Sequence, residues 1–203
     1  MPPEARPGPH PEPPSDLENR RVPVREFPGP FYRLHRRDHE PLYFGATGEN
    51  RFDDSERRFG VLYAANDELC AFIETYGRMT GTNTVTVSSI GARALARIDS
   101  SRSLRLVDLP GPGALPRIGA DARLTAGDHA VAQRWSRAFH ELSTRPDGIS
   151  YRPRHDPDRL AVALFDRVAP ILNATNLGSL MEPGNQPLLG QILDHYGFAL
   201  IAD

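Results

Sequence analysis

Apolar and polar positions along the chain predict short strands and helices in an irregular order. Runs of β-branched, aromatic and aliphatic residues predict strands at 31–35, 60–65, 84–87, 94–99, 104–109, 149–151, 160–165 and 198–201. Apolar residues at helical spacing predict helices over about 69–78, 126–142 and 188–196. Because strands and helices do not alternate regularly, the pattern favours an α+β fold over a doubly wound one.

The connections between these elements carry residues typical of caps and turns. Asn66 can cap the helix that follows it, and the two acidic residues after it suit the positive end of the helix dipole. Only a few polar residues separate the strands at 94–99 and 104–109, which predicts a hairpin. Residues 110–116 are rich in Pro and Gly, so we predict a loop there.

The N-terminal end differs from the rest of the chain in composition. Half of the 20 prolines precede residue 31, and this end contains few large apolar side chains. Proline removes backbone donors, and a segment with little to bury cannot offset the entropy lost on ordering. We therefore predict a disordered, proline-rich tail over 1–28 and a single domain over 29–203.

Composition narrows the possible chemistry. All 24 residues counted as Lys or Arg are arginines, which excludes a lysine Schiff base and a P-loop lysine. A formal net charge of −2 argues against a general nucleic-acid or membrane-surface binder. The one cysteine, Cys70, excludes an intramolecular disulfide, and its apolar neighbours predict a small buried side chain.

Several familiar signals are absent from the sequence. There is no apolar stretch near the ~18 residues of a membrane span and no apolar signal-peptide core, so we expect a cytoplasmic protein. The motifs GxSxG, HExxH and GxGxxG do not occur. His35 and His39 are four residues apart, but Pro41 and the strand-like flanks argue against one helix face, so no metal site is predicted.

A more specific order of residues occupies the stretch from Tyr32 to Glu74. It contains Tyr32-Arg33, Asn50-Arg51-Phe52-Asp53, Gly60-Val61-Leu62-Tyr63-Ala64-Ala65 and Leu69-Cys70-Ala71-Phe72-Ile73-Glu74. Later come Asp147-Gly148-Ile149-Ser150-Tyr151 and Arg154-His155-Asp156, ahead of the strand at 160–165. Together these residues resemble the RES domain, a family named for an arginine, a glutamate and a serine.

The resemblance covers most of the chain from about residue 31. It implies an ADP-ribosyltransferase-like fold in which mixed β-sheets are flanked by helices. RES proteins are toxins of bacterial toxin–antitoxin pairs, so the resemblance implies a toxin that consumes NAD+ and uses no metal. It also implies a cognate helix-turn-helix antitoxin that covers the toxin and makes any contact with DNA, and the sequence leaves a homo-oligomer open.

Carried over residue by residue, the resemblance implies a pocket formed by Arg33, Arg51, Tyr63 and Glu74. Arg33, Tyr63 and Glu74 would act in catalysis, and Arg33, Arg51 and Tyr63 would bind NAD+. The residue types suit that chemistry, because arginine holds phosphate through two parallel hydrogen bonds. A carboxylate can stabilise the oxocarbenium-like state of a breaking glycosidic bond. Tyr63 can stack on nicotinamide or hydrogen-bond to its ribose.

Several positions depart from the family pattern. Glu49 and Asn50 stand where the family has the two glycines of Gly-Gly-Arg-Trp-Asn. Phe52 stands where the family has the Trp of Gly-Gly-Arg-Trp-Asn, and Pro153 stands where it has the Ser of Gly-Ile-x-Tyr-x-Ser-Arg. Ser150 is no obvious substitute, because an odd separation along a strand points it to the opposite face. Three functions therefore stay open: NAD+ hydrolysis or phosphorolysis, transfer of ADP-ribose to a protein, and a binding module without catalytic activity.

Overall fold

The computed structural model describes residues 8–77 and 81–203, whose regular elements are mainly short strands. The strands are β1 (Val24–Phe27), β2 (Phe31–Arg36), β3 (Val61–Ala65), β4 (Thr84–Thr86), β5 (Arg93–Ser100), β6 (Leu104–Asp108), β7 (Gly148–Tyr151), β8 (Ala161–Phe165), β9 (Leu172–Gly178) and β10 (Ala199–Ile201). The α-helices are α1 (Glu68–Tyr76), α2 (Val87–Gly91), α3 (Ala114–Ile118), α4 (Arg123–Ala126), α5 (His129–Glu141) and α6 (Gln186–Tyr196). Short 3-10 helices occupy Leu17–Asn19, Asp166–Ile171 and Pro183–Asn185.

Eight strands form one mixed sheet in the order β1-β6-β7-β8-β3-β2-β5-β9. Strands β6 and β7 run parallel, and the other neighbouring pairs of this sheet are antiparallel. Strands β4 and β10 form a separate parallel pair. The predicted α+β class, with mixed sheets and flanking helices, is therefore confirmed.

The predicted hairpin between 94–99 and 104–109 is wrong, although both strands exist. Strand β5 lies between β2 and β9, whereas β6 lies between β1 and β7. The connection from Ser100 to Leu104 can span only about 14 Å, but strands at the second and seventh positions of a flat sheet would lie more than about 20 Å apart. The sheet must therefore curve, and Ile98 of β5 and Leu104 of β6 belong to one buried apolar cluster.

Strand β8 is the clearest case of a strand buried on both faces, as its continuous apolar sequence predicted. All of its residues are buried. Phe165 belongs to the cluster that contains Trp135 and Phe139 of α5, and Leu164 belongs to the cluster that β5 and β6 share. A further cluster, around Phe72 of α1, includes buried residues of α6. The buried core thus lies between the curved sheet and the helices α1, α5 and α6.

Cap residues shift two of the predicted helix boundaries. Helix α1 is capped by Asp67 rather than Asn66, because the Asp67 carboxylate accepts a hydrogen bond from the Cys70 amide at 2.8 Å. Helix α5 begins three residues later than predicted, at His129, because Asp128 provides its cap. In both cases an aspartate satisfies an amide that has no partner inside the helix.

Two further predictions of element boundaries are wrong, because short helices occupy residues that were predicted to be strand or loop. Val87, predicted as the end of a strand, begins α2, and α3 starts within the predicted loop 110–116. The predicted end of the first long helix, Arg78, lies outside the described residues, and α1 ends at Tyr76. In the described part of the chain, no helix is long and apolar enough to cross a membrane.

Residues 8–28 pack against the domain, so the prediction of a disordered tail is wrong for this part of it. Strand β1 pairs with β6 along its whole length. Leu17 is 4% exposed, and the indole N–H of Trp135 donates to the carbonyl of Pro11 at 2.8 Å. Proline lacks a donor but keeps its carbonyl acceptor, so a proline-rich segment can still be hydrogen-bonded to the domain. Residues 1–7 lie outside the described residues.

The packing of this segment can be tested through Leu17. We expect Leu17→Ala to lower the free energy of unfolding by about 2–4 kcal/mol, because it opens a cavity in the core. Urea unfolding followed by circular dichroism measures the change. The control is Leu177→Ala at a site that is 37% exposed, where the loss should stay below ~1 kcal/mol. Equal losses in the two variants would contradict the packing of residues 8–28.

Candidate active site

A cavity of about 670 Å³ opens between β2, β3, α1 and the loop that precedes β3. Its volume lies in the range of about 300–1,000 Å³ that is typical of small-molecule sites. The four residues predicted to share a pocket, Arg33, Arg51, Tyr63 and Glu74, all line it. Each comes from a different element, so the tertiary structure alone brings them together.

Arg33 lies on β2 at the wall of this cavity. Its Nη1 donates to the carbonyls of Pro41 at 3.2 Å and Tyr43 at 3.0 Å, which ties the loop after β2 to the strand. Burial and then the charge of Arg93 lower the pKa of Arg33 to about 10. The guanidinium is thus still protonated at neutral pH, and an anion bound beside it would offset both effects.

Arg51 lies in an irregular loop, so its position depends on individual contacts. Its Nη1 donates to the carbonyl of Gly127 at 2.8 Å, which joins the loop to the end of α4. Burial lowers the pKa of Arg51, the charge of Arg154 adds to that effect, and the charge of Glu74 opposes it. Arg51 therefore sits near a second arginine and a carboxylate, in a place where an anionic ligand would be stabilised.

The carboxylate of Asp53 holds this loop from the inside. It is fully buried, and its Oδ2 accepts hydrogen bonds from Thr47 Oγ1 at 3.0 Å and from two nitrogens of Asn50 at 3.1 Å. Its Oδ1 accepts from the hydroxyl of Tyr63 at 3.0 Å, and that hydroxyl accepts from the Phe52 amide at 2.8 Å. These bonds offset the cost of burying a charge.

Tyr63 is therefore bound to the loop through its hydroxyl. Burial and then the charge of Asp53 raise the pKa of Tyr63 well above 10, so the hydroxyl keeps its proton. Because the hydroxyl is engaged in hydrogen bonds inside the protein, any contact with a ligand falls chiefly to the ring. The expectation of a hydrogen bond to ribose stays a prediction, and the geometry favours stacking instead.

Polar residues on one face of α5 hold the same loop from the outside. Gln133 donates to two loop carbonyls at 2.7 and 3.0 Å, and Ser136 donates to the carbonyl of Phe52 at 2.7 Å. Arg137 donates through Nε at 2.7 Å to the fully buried carboxylate of Asp54. Residues at i, i+3 and i+4 lie on one side of a helix, so α5 can reach all these loop groups at once.

Glu74 projects from α1 and is contacted by Tyr151, whose hydroxyl donates to Glu74 Oε2 at 3.2 Å. Tyr151 is 6% exposed and packs on Phe52, with ring centroids 5.0 Å apart. Burial and then the charge of Glu74 raise the pKa of Tyr151 well above 10, so its proton is retained for this bond. Tyr151 was not among the predicted site residues, although it stands in the motif that begins at Gly148.

The segment after β7 shows where the departure from the family pattern lies. Ser150 points away from the cavity, as its strand position predicted, and its hydroxyl donates to Asp108 Oδ1 at 3.3 Å. Pro153 is buried, and the next residue, Arg154, lines the cavity. No serine hydroxyl therefore takes the family position, but a cationic side chain from the same segment does reach the cavity.

Among the cavity-lining side chains that sequence reasoning did not assign to the site are two arginines and two histidines: Arg93, His129, Arg154 and His155. Arg93 of β5 and His129 of α5 carry no local pattern that distinguishes them from solvated residues. Arg154 and His155 stand in the segment after β7 that contributed to the family resemblance, but no role was assigned to them. With Arg33 and Arg51 this set gives the cavity four arginines, against the carboxylates of Glu49 and Glu74. The cavity is thus suited to a ligand with several negative charges.

Other groups considered as chemical candidates have structural roles. His35 is 4% exposed, and its Nδ1 lies 3.0 Å from the carbonyl oxygen of His39. Cys70 is buried and its thiol donates to the carbonyl of Leu160 at 3.3 Å, so the prediction of a small buried side chain is confirmed. Within residues 8–77 and 81–203, no group of three or more His, Cys, Asp or Glu side chains could hold a metal ion.

Comparison with known proteins gives three findings. The family model of the RES domain matches residues 30–177, a range that includes all four predicted pocket residues. "Probable toxin y4kH" of Sinorhizobium fredii (strain NBRC 101917 / NGR234) is 31% identical over 122 residues, which are 60% of this chain and 93% of that protein. A chain in the crystal structure of the M. tuberculosis MbcT–MbcA toxin–antitoxin complex has a similar fold, with a TM-score of 0.63 at 16% identity, over 89% of this chain and 98% of that one.

The role of the Tyr63 hydroxyl can be tested by its removal. We expect Tyr63→Phe to lower the free energy of unfolding by about 1–3 kcal/mol, because the buried Asp53 carboxylate and Phe52 amide each lose a partner. Urea unfolding measures the loss. Tyr43→Phe, at a side chain that is 52% exposed, should change it by less than ~0.5 kcal/mol. A Tyr63→Phe protein as stable as this control would contradict the described network.

Proposed function

Because this chain belongs to the RES domain family, we propose that it is a toxin that consumes NAD+ by cleaving the bond between nicotinamide and ribose. The observation that carries the proposal is the cavity in which Glu74, hydrogen-bonded by Tyr151, lies among arginines. NAD+ contains a pyrophosphate and a nicotinamide ring that carries a positive charge while it is attached to ribose. A site that cleaves NAD+ therefore needs cations to bind the phosphates and a carboxylate near the reacting ribose carbon.

In the proposed reaction the bond between C1′ of the ribose and the nicotinamide nitrogen breaks, and its electron pair leaves with nicotinamide. The ribose carbon becomes oxocarbenium-like, and the Glu74 carboxylate stabilises that developing charge. Water or phosphate then adds to C1′, and attacking water gives up a proton. Tyr151 holds the carboxylate in place for this step, since its hydroxyl donates to Oε2.

The binding roles follow from the surroundings of each side chain. Arg51 and Arg33 bind the phosphates, because both are cations whose pKa is lowered by burial, so a bound anion stabilises them. Tyr63 places its ring against the nicotinamide end while its hydroxyl holds the Asp53 loop. The proposal assigns no step to Pro153, which cannot supply a hydroxyl.

We also propose that a helix-turn-helix antitoxin binds this protein and that NAD+ consumption takes place when the antitoxin is absent. Two comparisons support a toxin role: one relative is described as a probable toxin, and the structural neighbour comes from a toxin–antitoxin complex. A toxin that depletes a cofactor used throughout metabolism would have to be inhibited during growth. Any DNA contact is assigned to the antitoxin.

The activity can be tested with the purified protein and NAD+. The wild-type protein should release nicotinamide, and Glu74→Gln should reduce kcat by about 10²–10³-fold, because the transition state loses its stabilising charge. Glu68→Gln is the matched control, since Glu68 lies on the same helix but does not line the cavity. Nicotinamide release at the wild-type rate in the Glu74→Gln protein would contradict the role of the carboxylate.

The reaction products separate the alternatives in the same experiment. Label from the adenine part of NAD+ should appear in free ADP-ribose for hydrolysis and in ADP-ribose 1″-phosphate for phosphorolysis. Its appearance on a protein would instead establish transfer of ADP-ribose. Binding of NAD+ by calorimetry without any release of nicotinamide would refute an enzyme and favour the binding module.

The positioning role of Tyr151 gives a separate prediction. We expect Tyr151→Phe to lower kcat by about tenfold with little change in KM, because the Glu74 carboxylate loses the donor that orients it. Steady-state kinetics of nicotinamide release measures both constants. Tyr76→Phe removes a hydroxyl of a half-buried tyrosine, which donates to the carbonyl of Ser89 at 2.9 Å and lies outside the cavity. If both variants lower kcat equally, the effect is a general loss of packing and not positioning of Glu74.

A further inference from the structure

A second cavity, of about 320 Å³, lies beside the candidate active site. It is formed by the loop after β6 together with α3 and the start of α4, and Thr125 of α4 lines both cavities. The short α4 turn is therefore a ridge between two neighbouring spaces. A ligand longer than the first cavity could continue over this ridge into the second.

The walls of the second cavity differ in chemistry from those of the first. Apolar side chains form most of its lining: Leu109, Pro110, Leu115, Pro116 and Ala122. Arg152 is the charged residue of the lining. Its Nη1 donates to the carbonyls of Asp158 at 2.8 Å and Arg159 at 3.3 Å, and these bonds hold the guanidinium in place. A flat aromatic ring suits such a space, because apolar walls contact its faces and a guanidinium can stack on it.

Two arginines that are close together in the sequence line the two cavities. Arg154 lines the first cavity and Arg152 lines the second. The backbone positions of the two arginines are at most ~7 Å apart, because only two residues of chain separate them. The two cavities therefore lie close together at this segment. Arg51 and Arg154 both line the first cavity. A pyrophosphate held by Arg51 and Arg33, with Arg154 beside it in the same cavity, would thus point its remaining nucleoside toward Arg152.

We propose that the second cavity binds the adenine end of the dinucleotide. The identity of the ligand rests on the proposed function, because NAD+ carries an adenosine on the far side of its pyrophosphate. The adenine ring lies between the apolar walls, with Arg152 at its edge and Thr125 beside the adenosine ribose. This site would make the protein select a dinucleotide over nicotinamide mononucleotide, which has no adenosine to bind there.

The test uses binding without turnover, in a protein that carries Glu74→Gln. Calorimetry measures the Kd values of ADP, which contains adenine and pyrophosphate, and of inorganic pyrophosphate alone. In this background Ala122→Trp fills the second cavity from an exposed position. Ala126→Trp is the matched control, because Ala126 is exposed at the end of α4, the helix whose N-cap is Ala122, and it lines neither cavity.

We expect Ala122→Trp to weaken ADP binding by about tenfold or more relative to Ala126→Trp, since the base loses its pocket. Pyrophosphate binding should be equal in the two variants. Equal ADP binding in both, or ADP that binds no more tightly than pyrophosphate in the parent, would overturn the adenine site. If ADP binds as expected but wild-type protein consumes no NAD+, the proposed function fails and the nucleotide site stands.

Discussion

The candidate site depends on the burial of a charged carboxylate in a loop that has no regular backbone hydrogen bonding. Asp53 replaces that missing regularity, since its two oxygens accept from Thr47, Asn50 and Tyr63. A buried charge is tolerated only when its hydrogen-bonding capacity is used, so the loop has few alternative conformations. Phe52, held in the same loop, packs on Tyr151, and this contact extends the effect of one buried carboxylate to the position of Glu74.

The curvature of the large sheet supplies the second constraint. Because three residues connect β5 to β6, strands that are far apart in the sheet order must approach each other in space. Strands β7 and β8 also pack closely at Gly148, where a Cβ would collide with the carbonyl of Ala163. The curved sheet encloses one apolar cluster and leaves its other face for α5, which in turn holds the loop that carries Arg51.

Electrostatics then explain why this cavity favours an anion. Several arginines share a partly buried space, and burial together with mutual repulsion disfavours their charged forms, as the lowered pKa of Arg33 shows. In a chain without lysine, arginine is the side chain that can supply a permanent positive charge to this cavity. The Glu74 carboxylate, which accepts a hydrogen bond from Tyr151, supplies the opposite charge that the proposed reaction requires.

Local patterns determined much of this protein. The apolar run at 160–165 and the spacing around α1 predicted buried elements correctly, and the order of residues from Tyr32 to Glu74 identified four side chains that do meet in one cavity. The partners of these elements were decided only by the tertiary structure. Periodicity reports which face of a segment is buried, but it does not report what covers that face. The sequence pattern therefore could not reveal that β5 and β6 pair with other strands, that residues 8–28 pack through proline carbonyls, or that Tyr151 and Arg154 join the site.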